Sequence, residues 1–155
     1  MKKSIDLFLF IVGLVSILSG QQTDSFDIKK VDSLLNVSRN YIGKNDFEKA
    51  LEVNAVAEIL ALEKFGHDSE PYGNACSNHG KIQFSSNNFL EAENWYLESK
   101  SIREGTVGKE SSEYLSCLKN LANLYSTIGN YLKAEPLYIE ILKIEEKIFG
   151  KDQPD

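Results

Sequence analysis

The chain has 155 residues, with 17 Lys and Arg against 23 Asp and Glu, a formal net charge of −6, and 42% hydrophobic and 26% charged residues. Length and balance suit a folded domain with an ordinary core. No Lys/Arg block stands beyond Lys2-Lys3, so the chain has no electrostatic footprint for nucleic acid, and its acidity mildly disfavours anionic partners.

The first twenty residues are set apart. Lys2-Lys3 is a basic start, Leu7 to Leu18 is an apolar run, and Ser19-Gly20 supplies small residues before the polar Gln21-Gln22-Thr23-Asp24. This three-part order predicts a secretory signal peptide over 1–20, then a linker over 21–26. The run is shorter than the roughly 20 residues of a membrane span, so an uncleaved anchor is the second choice. Cleavage is expected after Gly20 or Ser19, although Leu18 or Ile17 at the −3 place makes the site imperfect. No Cys follows the run, so a lipoprotein anchor is not indicated. The expected location is outside the cytoplasm, periplasmic or secreted, in a bacterium.

From residue 27 to 150 the chain repeats itself every 42 residues: Asn36, Asn78 and Asn120; Phe47, Phe89 and Tyr131; Ala50, Ala92 and Ala134; Gly66, Gly108 and Gly150. A fixed period of this size is the mark of stacked repeats, here three units of about 25–66, 67–108 and 109–150. Each unit reads as two helices around a polar turn, an all-α fold. In the first, Asp46 is placed to cap the second helix. In the second, Asn88 takes that place with Glu91 three residues on, a capping-box variant. In the third, Leu115, Leu118, Leu121, Ala122 and Tyr125 recur at three- and four-residue spacing. Ser126-Thr127-Ile128-Gly129-Asn130 breaks that pattern. Another runs through Tyr131, Ala134, Leu137, Tyr138, Ile141, Leu142, Ile144 and Ile148 to a Gly150 stop.

Small residues mark close helix approaches: Ser38, Gly80 and Ala122 on the first helices, Ala50, Ala92 and Ala134 on the second. The aromatic before each of those alanines is expected to fill the gap between hairpins. Gly66, Gly108 and Gly150 are expected to let the chain turn into the next unit. Pro136 lies inside a helix, where its missing N–H predicts local curvature. Cys76 and Cys117 are 41 residues apart, one short of the period, and read as two small buried thiols, with a disulfide as the alternative for an exported protein.

The segment Leu118-Lys119-Asn120-Leu121-Ala122-Asn123-Leu124-Tyr125, followed by Gly129-Asn130-Tyr131-Leu132-Lys133-Ala134-Glu135-Pro136-Leu137-Tyr138, resembles the tetratricopeptide repeat. More narrowly, it is similar to the 42-residue variety of kinesin light chains and many bacterial multi-repeat proteins. The resemblance covers about 27–155. Asn54, His79 and Gln83 depart from its pattern, which wants apolar or aromatic residues at those places. The resemblance implies a right-handed α-solenoid whose first helices form a concave wall for a partner protein or extended peptide.

On that wall, Asn36, Asn78 and Asn120 stand at equivalent places. Each amide offers two donors and an acceptor, the complement of a peptide group. Arg39, Lys81 and Asn123 share the next equivalent place and Lys119 neighbours Asn120; these add polar or carboxylate contacts. The plainer alternative is a solvated helix face. Phe84 and Ile42 either line the groove or pack against the turn.

Catalysis has no motif. His67 and His79 lack any recognised constellation, and Cys76 with His79 makes at most half a metal site, so no cofactor, metal or enzymatic activity is expected. Gly150-Lys151-Asp152-Gln153-Pro154-Asp155 resembles the connector Gly66 to Pro71, so 151–155 reads as a tail or the start of a fourth unit. An uncapped array would expose Leu142, Ile144, Ile148 and Phe149, and self-association there is a further expectation. The function expected is a non-catalytic protein-interaction scaffold. The alternative is the recognition arm of a longer enzyme, a caspase-like peptidase or sensor kinase.

Overall fold

The computed structural model describes residues 24–150. The signal-peptide reading over 1–20 and the fourth-unit reading over 151–155 lie outside the described residues. Those described form helices α1 (24–43), α2 (Phe47–Phe65), α3 (Glu70–Ser85), α4 (Phe89–Thr106), α5 (Ser112–Thr127) and α6 (Tyr131–Phe149), without a strand. Three hairpins, α1/α2, α3/α4 and α5/α6, stack in chain order as an α-solenoid.

Local chemistry sets the helix ends. Asp46 accepts the Lys49 N–H at 3.3 Å and Asn130 accepts that of Lys133 at 3.3 Å, as N-caps do. Ser69 and Ser111 cap α3 and α5 in the same way. Asn88 departs from expectation. It stands at the N-cap of α4 but makes no capping bond, because its amide donates backward to Gln83 Oε1 at 2.9 Å and Ser86 Oγ at 3.2 Å. The turn inside each hairpin holds one left-handed residue at an equivalent place, Asn45 (φ 57°), Asn87 (φ 63°) and Gly129 (φ 74°), residue types that tolerate that conformation. Pro136 sits within a single helix α6.

The core crosses unit boundaries. Val31, Leu35, Ala57 and Ala61 of the first unit pack with Tyr72, Ala75, Cys76 and Ile102 of the second. Ala92 and Tyr96 pack with Leu121, Leu124 and Tyr125 of the third. Tyr125 and Lys133 both bond Glu93 Oε1, at 2.6 and 2.7 Å, and hold its carboxyl below its ordinary range. Hairpins therefore stabilise one another, as stacked repeats must.

Small residues set the helix spacing. Ser38 Oγ donates to the Ala50 carbonyl at 2.8 Å. A Cβ on Gly80 would meet the Tyr96 ring at 2.5 Å, and one on Gly73 would meet Ile102 at 3.1 Å, so α3 and α4 approach through two glycines on one face. The third unit has Ala122 where the second has Gly80. There Tyr138, the counterpart of Tyr96, is 46% exposed instead of 3%, its hydroxyl 3.1 Å from Ser126 Oγ.

Two expectations need correction. Phe89 packs against Phe84 and the second core cluster, but Tyr131 is exposed and fills no gap, since nothing among the described residues lies beyond it. Of the apolar residues expected on the surface of α6, Leu142 is exposed, whereas Ile144 is buried with Leu115 and Leu118. The cysteines are both free and buried.

Candidate functional site

The first helices are joined into a row by their own side chains. Asn78 Nδ2 of α3 donates to Ser38 Oγ of α1 at 2.9 Å, and Asn120 Nδ2 of α5 reaches Ser77 Oγ of α3 at 3.5 Å. Along this row the three asparagines do not share one environment. Asn36 is exposed and its Oδ1 accepts from Arg39 Nη1 at 2.8 Å. Asn120 is half-buried. Asn78 is 1% exposed, and its Nδ2 is also shared with Asn54 Oδ1 at 2.8 Å. Asn78 is therefore a joint between units and not a groove contact, which corrects the expected threefold ladder. The reason lies in its neighbours: only the first unit offers Ser38 and Asn54 as polar partners, where the next offers Gly80 and Tyr96.

That joint belongs to a larger network. Asn54 Nδ2 donates to Glu58 Oε1 at 2.5 Å and to the Ala75 carbonyl at 3.2 Å. His79 Nδ1 lies 2.6 Å from the same Glu58 oxygen and its Nε2 lies 3.3 Å from Gln83 Nε2. The His79 ring stacks on Trp95 at 4.0 Å. Asn54 and His79, two of the three departures from the repeat pattern, thus meet on one carboxylate, and the third, Gln83, joins them through His79. Cys76 faces the core instead, where burial pushes its thiol up to about 12, so Cys76 and His79 do not converge. No group of three or more His, Cys, Asp or Glu suited to a metal occurs among the described residues.

The remaining expected groove residues are accessible to different degrees. Arg39 and Asn123 are exposed and Lys81 is half-buried. Lys119 is exposed but paired with Glu145 at 2.6 Å, which reduces its offer to a ligand. Phe84 packs against Phe89, and Ile42 is half-buried.

Arg103 was not expected here. It starts from α4, is 6% exposed, and bridges Asn74 Oδ1 of α3 at 2.6 Å and the Glu113 carbonyl of α5 at 2.9 Å. Its Nε has no partner. Its period-mates are Ala61, in the core, and Glu145. A charge on the stripe that elsewhere carries Ala57 and Ala61 was the readable signal. Burial, with the charges of Arg39 and Arg103, holds the Lys81 ammonium below its ordinary range.

This arrangement of stacked hairpins has counterparts. Residues 72–147 match the tetratricopeptide repeat family. Over that segment the chain is similar to a tetratricopeptide-repeat array. Among solved structures, the chain is similar to BtubC (BKLC) from P. vanneervenii, at TM-score 0.70 and 21% identity, covering 81% of this chain and 49% of that one. It is also similar to the nearly identical TPR-like repeats of a protein described as a kinesin light chain from Podosopora anserina, at TM-score 0.72 and 16% identity, covering 82% and 60%. At those identities the likeness is one of fold, and the chain spans about half of the first structure and about three-fifths of the second. Comparison with curated protein sequences gives no match. Tetratricopeptide arrays generally mediate protein–protein interaction and are generally non-catalytic. No helix among the described residues is long and apolar enough to cross a membrane.

Proposed function

We propose that this chain is a non-catalytic interaction scaffold that holds an extended segment of a partner protein along the row α1, α3 and α5. One observation carries the reading. The row presents Asn36, Arg39, Lys81, Asn120 and Asn123, polar groups at repeating places, and Asn123 and Lys81 have no side-chain partner among the described residues. Asn120 uses its amide only at the limit of hydrogen-bond reach, 3.5 Å. Donors and acceptors left open along a groove suit a peptide backbone, which needs one partner of each kind per residue.

The scaffold works outside the cytoplasm on this reading, since 1–20 has the signal-peptide order; N-terminal sequencing of the protein from culture supernatant or periplasm should begin at Gly20 or Gln21, and an N-terminus at Met1 would reject it. The groove is tested by replacing Asn120 and Asn123 together with Ala. Binding of a captured partner should fall at least tenfold while the far-ultraviolet circular dichroism stays unchanged. Equal binding by the folded double variant would remove the groove assignment. Asn78 is unsuited to this test, because its replacement breaks the joint between units.

A further inference from the structure

We propose that the α6 face of one copy of this chain receives the α1/α2 face of a second copy, head to tail, in the arrangement that joins the second and third units inside the chain. Such a contact does not depend on the groove reading above.

The internal junction supplies the pattern. Glu93 on α4 accepts from the Tyr125 hydroxyl at 2.6 Å and from Lys133 Nζ at 2.7 Å. The same ammonium lies over the Tyr125 ring, 4.9 Å from its centroid. Around this trio Ala92 and Tyr96 of the second unit pack with Leu121, Leu124 and Tyr125 of the third. The period does not dictate the trio, because at the junction of the first and second units its places hold Leu51, Gln83 and Glu91.

The trio is present once more, split between the two ends of the molecule. One period after Glu93 stands Glu135, exposed on α6 and without a partner among the described residues. Two periods before Tyr125 and Lys133 stand Tyr41 and Lys49. Lys49 Nζ already lies over the Tyr41 ring, 5.8 Å from its centroid, so the donor half is preformed. The Tyr41 hydroxyl has no acceptor among the described residues. The Lys49 ammonium pairs with Asp46 at 2.8 Å, and a lysine has further N–H groups to give. One end therefore offers a lone acceptor and the other its two donors. A partner of different sequence would have to reproduce the tyrosine–lysine pair at this spacing; a second copy carries it.

The apolar surface around the trio agrees. Tyr131, Ala134 and Tyr138 are the period-mates of Phe89, Ala92 and Tyr96, and with Glu135, Ile139 and Leu142 they line an open depression on α6. At the other end Val37, the counterpart of the buried Leu121, is 42% exposed. Among the described residues no helix follows α6 or precedes α1 to cover these faces. Two departures weaken the external junction: Asn40 stands where the internal one has Leu124, and Ser126 where it has Phe84. It buries less apolar surface and opens on dilution. Because the two faces differ, a docked pair still presents one free face of each kind, and growth continues past the dimer.

Sedimentation velocity across the micromolar range, on the protein as purified from the cells that make it, tests the contact. The wild type should sediment faster as concentration rises, beyond the value for a dimer. Glu135→Lys sets an ammonium against Lys49 of the neighbouring copy, and Lys49→Glu sets a carboxylate against its Glu135. Each variant alone should associate at least about tenfold more weakly. Their equimolar mixture should associate again, because the Glu135 end of one variant meets the Lys49 end of the other. Circular dichroism checks that both fold; if Lys49→Glu does not, Lys49→Ala takes its place. A wild type that stays monomeric overturns the proposal. So does weakening by Glu135→Lys with Lys49→Glu unaffected, which would mean that α6 packs on α6 of the second copy, and so does a mixture that fails to recover.

Discussion

Replacing Gly80 with Ala tests how the hairpins are spaced. The new Cβ would lie 2.5 and 2.6 Å from two carbons of the Tyr96 ring, closer than non-bonded carbons can stay, so the ring must move. The third unit shows where it goes: with Ala122 in place of the glycine, Tyr138 is 46% exposed against 3% for Tyr96. Among the described residues no helix follows the one that carries Tyr138, so this difference is an upper bound. Taking about 200 Å² for a buried tyrosine, the change uncovers about 85 Å², which costs about 2 kcal/mol at ~25 cal/mol per Å². Exchanging glycine for alanine within a helix returns about 1 kcal/mol. The net loss is about 1 kcal/mol, or about 3 °C in melting temperature for a domain of this size, read by circular dichroism. A double-mutant cycle isolates the cause. In a Tyr96→Asn background, which copies Asn54 of the first unit, Gly80→Ala should change sign and stabilise the protein. If Gly80→Ala raises the melting temperature with Tyr96 present, the ring does not set the α3–α4 spacing.

Glu58→Ala leaves His79 Nδ1 and one donor of Asn54 without their acceptor, and should cost about 2 kcal/mol of stability in urea denaturation; a change under 0.5 kcal/mol would mean that the network is dispensable. Lys81→Met should be more stable than the wild type at pH 7. Because burial lowers the folded-state pKa of Lys81 below its unfolded value near 10.5, the folded chain sheds this proton first. The penalty is therefore full below the folded pKa and fades as pH rises toward 10.5. The stability gap between variant and wild type should narrow over that window, and a constant gap would contradict the assignment. Cys76 and Cys117 are buried, and the Cys76 thiol is pushed up to about 12. Iodoacetamide at pH 8 should label neither until the protein unfolds, which mass spectrometry detects.

The architecture was legible because stacking imposes its rules at every unit. The period placed the helices, the cap at Asp46, the small residues at close helix approaches and the glycine turns, since each is a local demand of an α-hairpin. The site was less legible, because identical residues at equivalent places have different neighbours. Asn78 became a joint through Ser38 and Asn54, while Asn120 faces Ser77 across a looser contact. Asn54, His79 and Gln83 look like three separate weaknesses along the chain. Only in three dimensions do they converge with Glu58, 21 residues from His79. Arg103 escaped notice because helix periodicity assigns it to a core stripe, and its long side chain carries the charge out of that stripe to α3 and α5.

The central claim, that a partner lies along α1, α3 and α5, is tested most directly by site-specific photo-cross-linking in the cells that make the protein. With p-benzoylphenylalanine at Asn36 or Asn123, one and the same partner should be cross-linked. With the group at Glu52 or Glu63, exposed on α2, no such product should form. Cross-links to a partner from Glu52 or Glu63, with none from Asn36 or Asn123, would contradict the account.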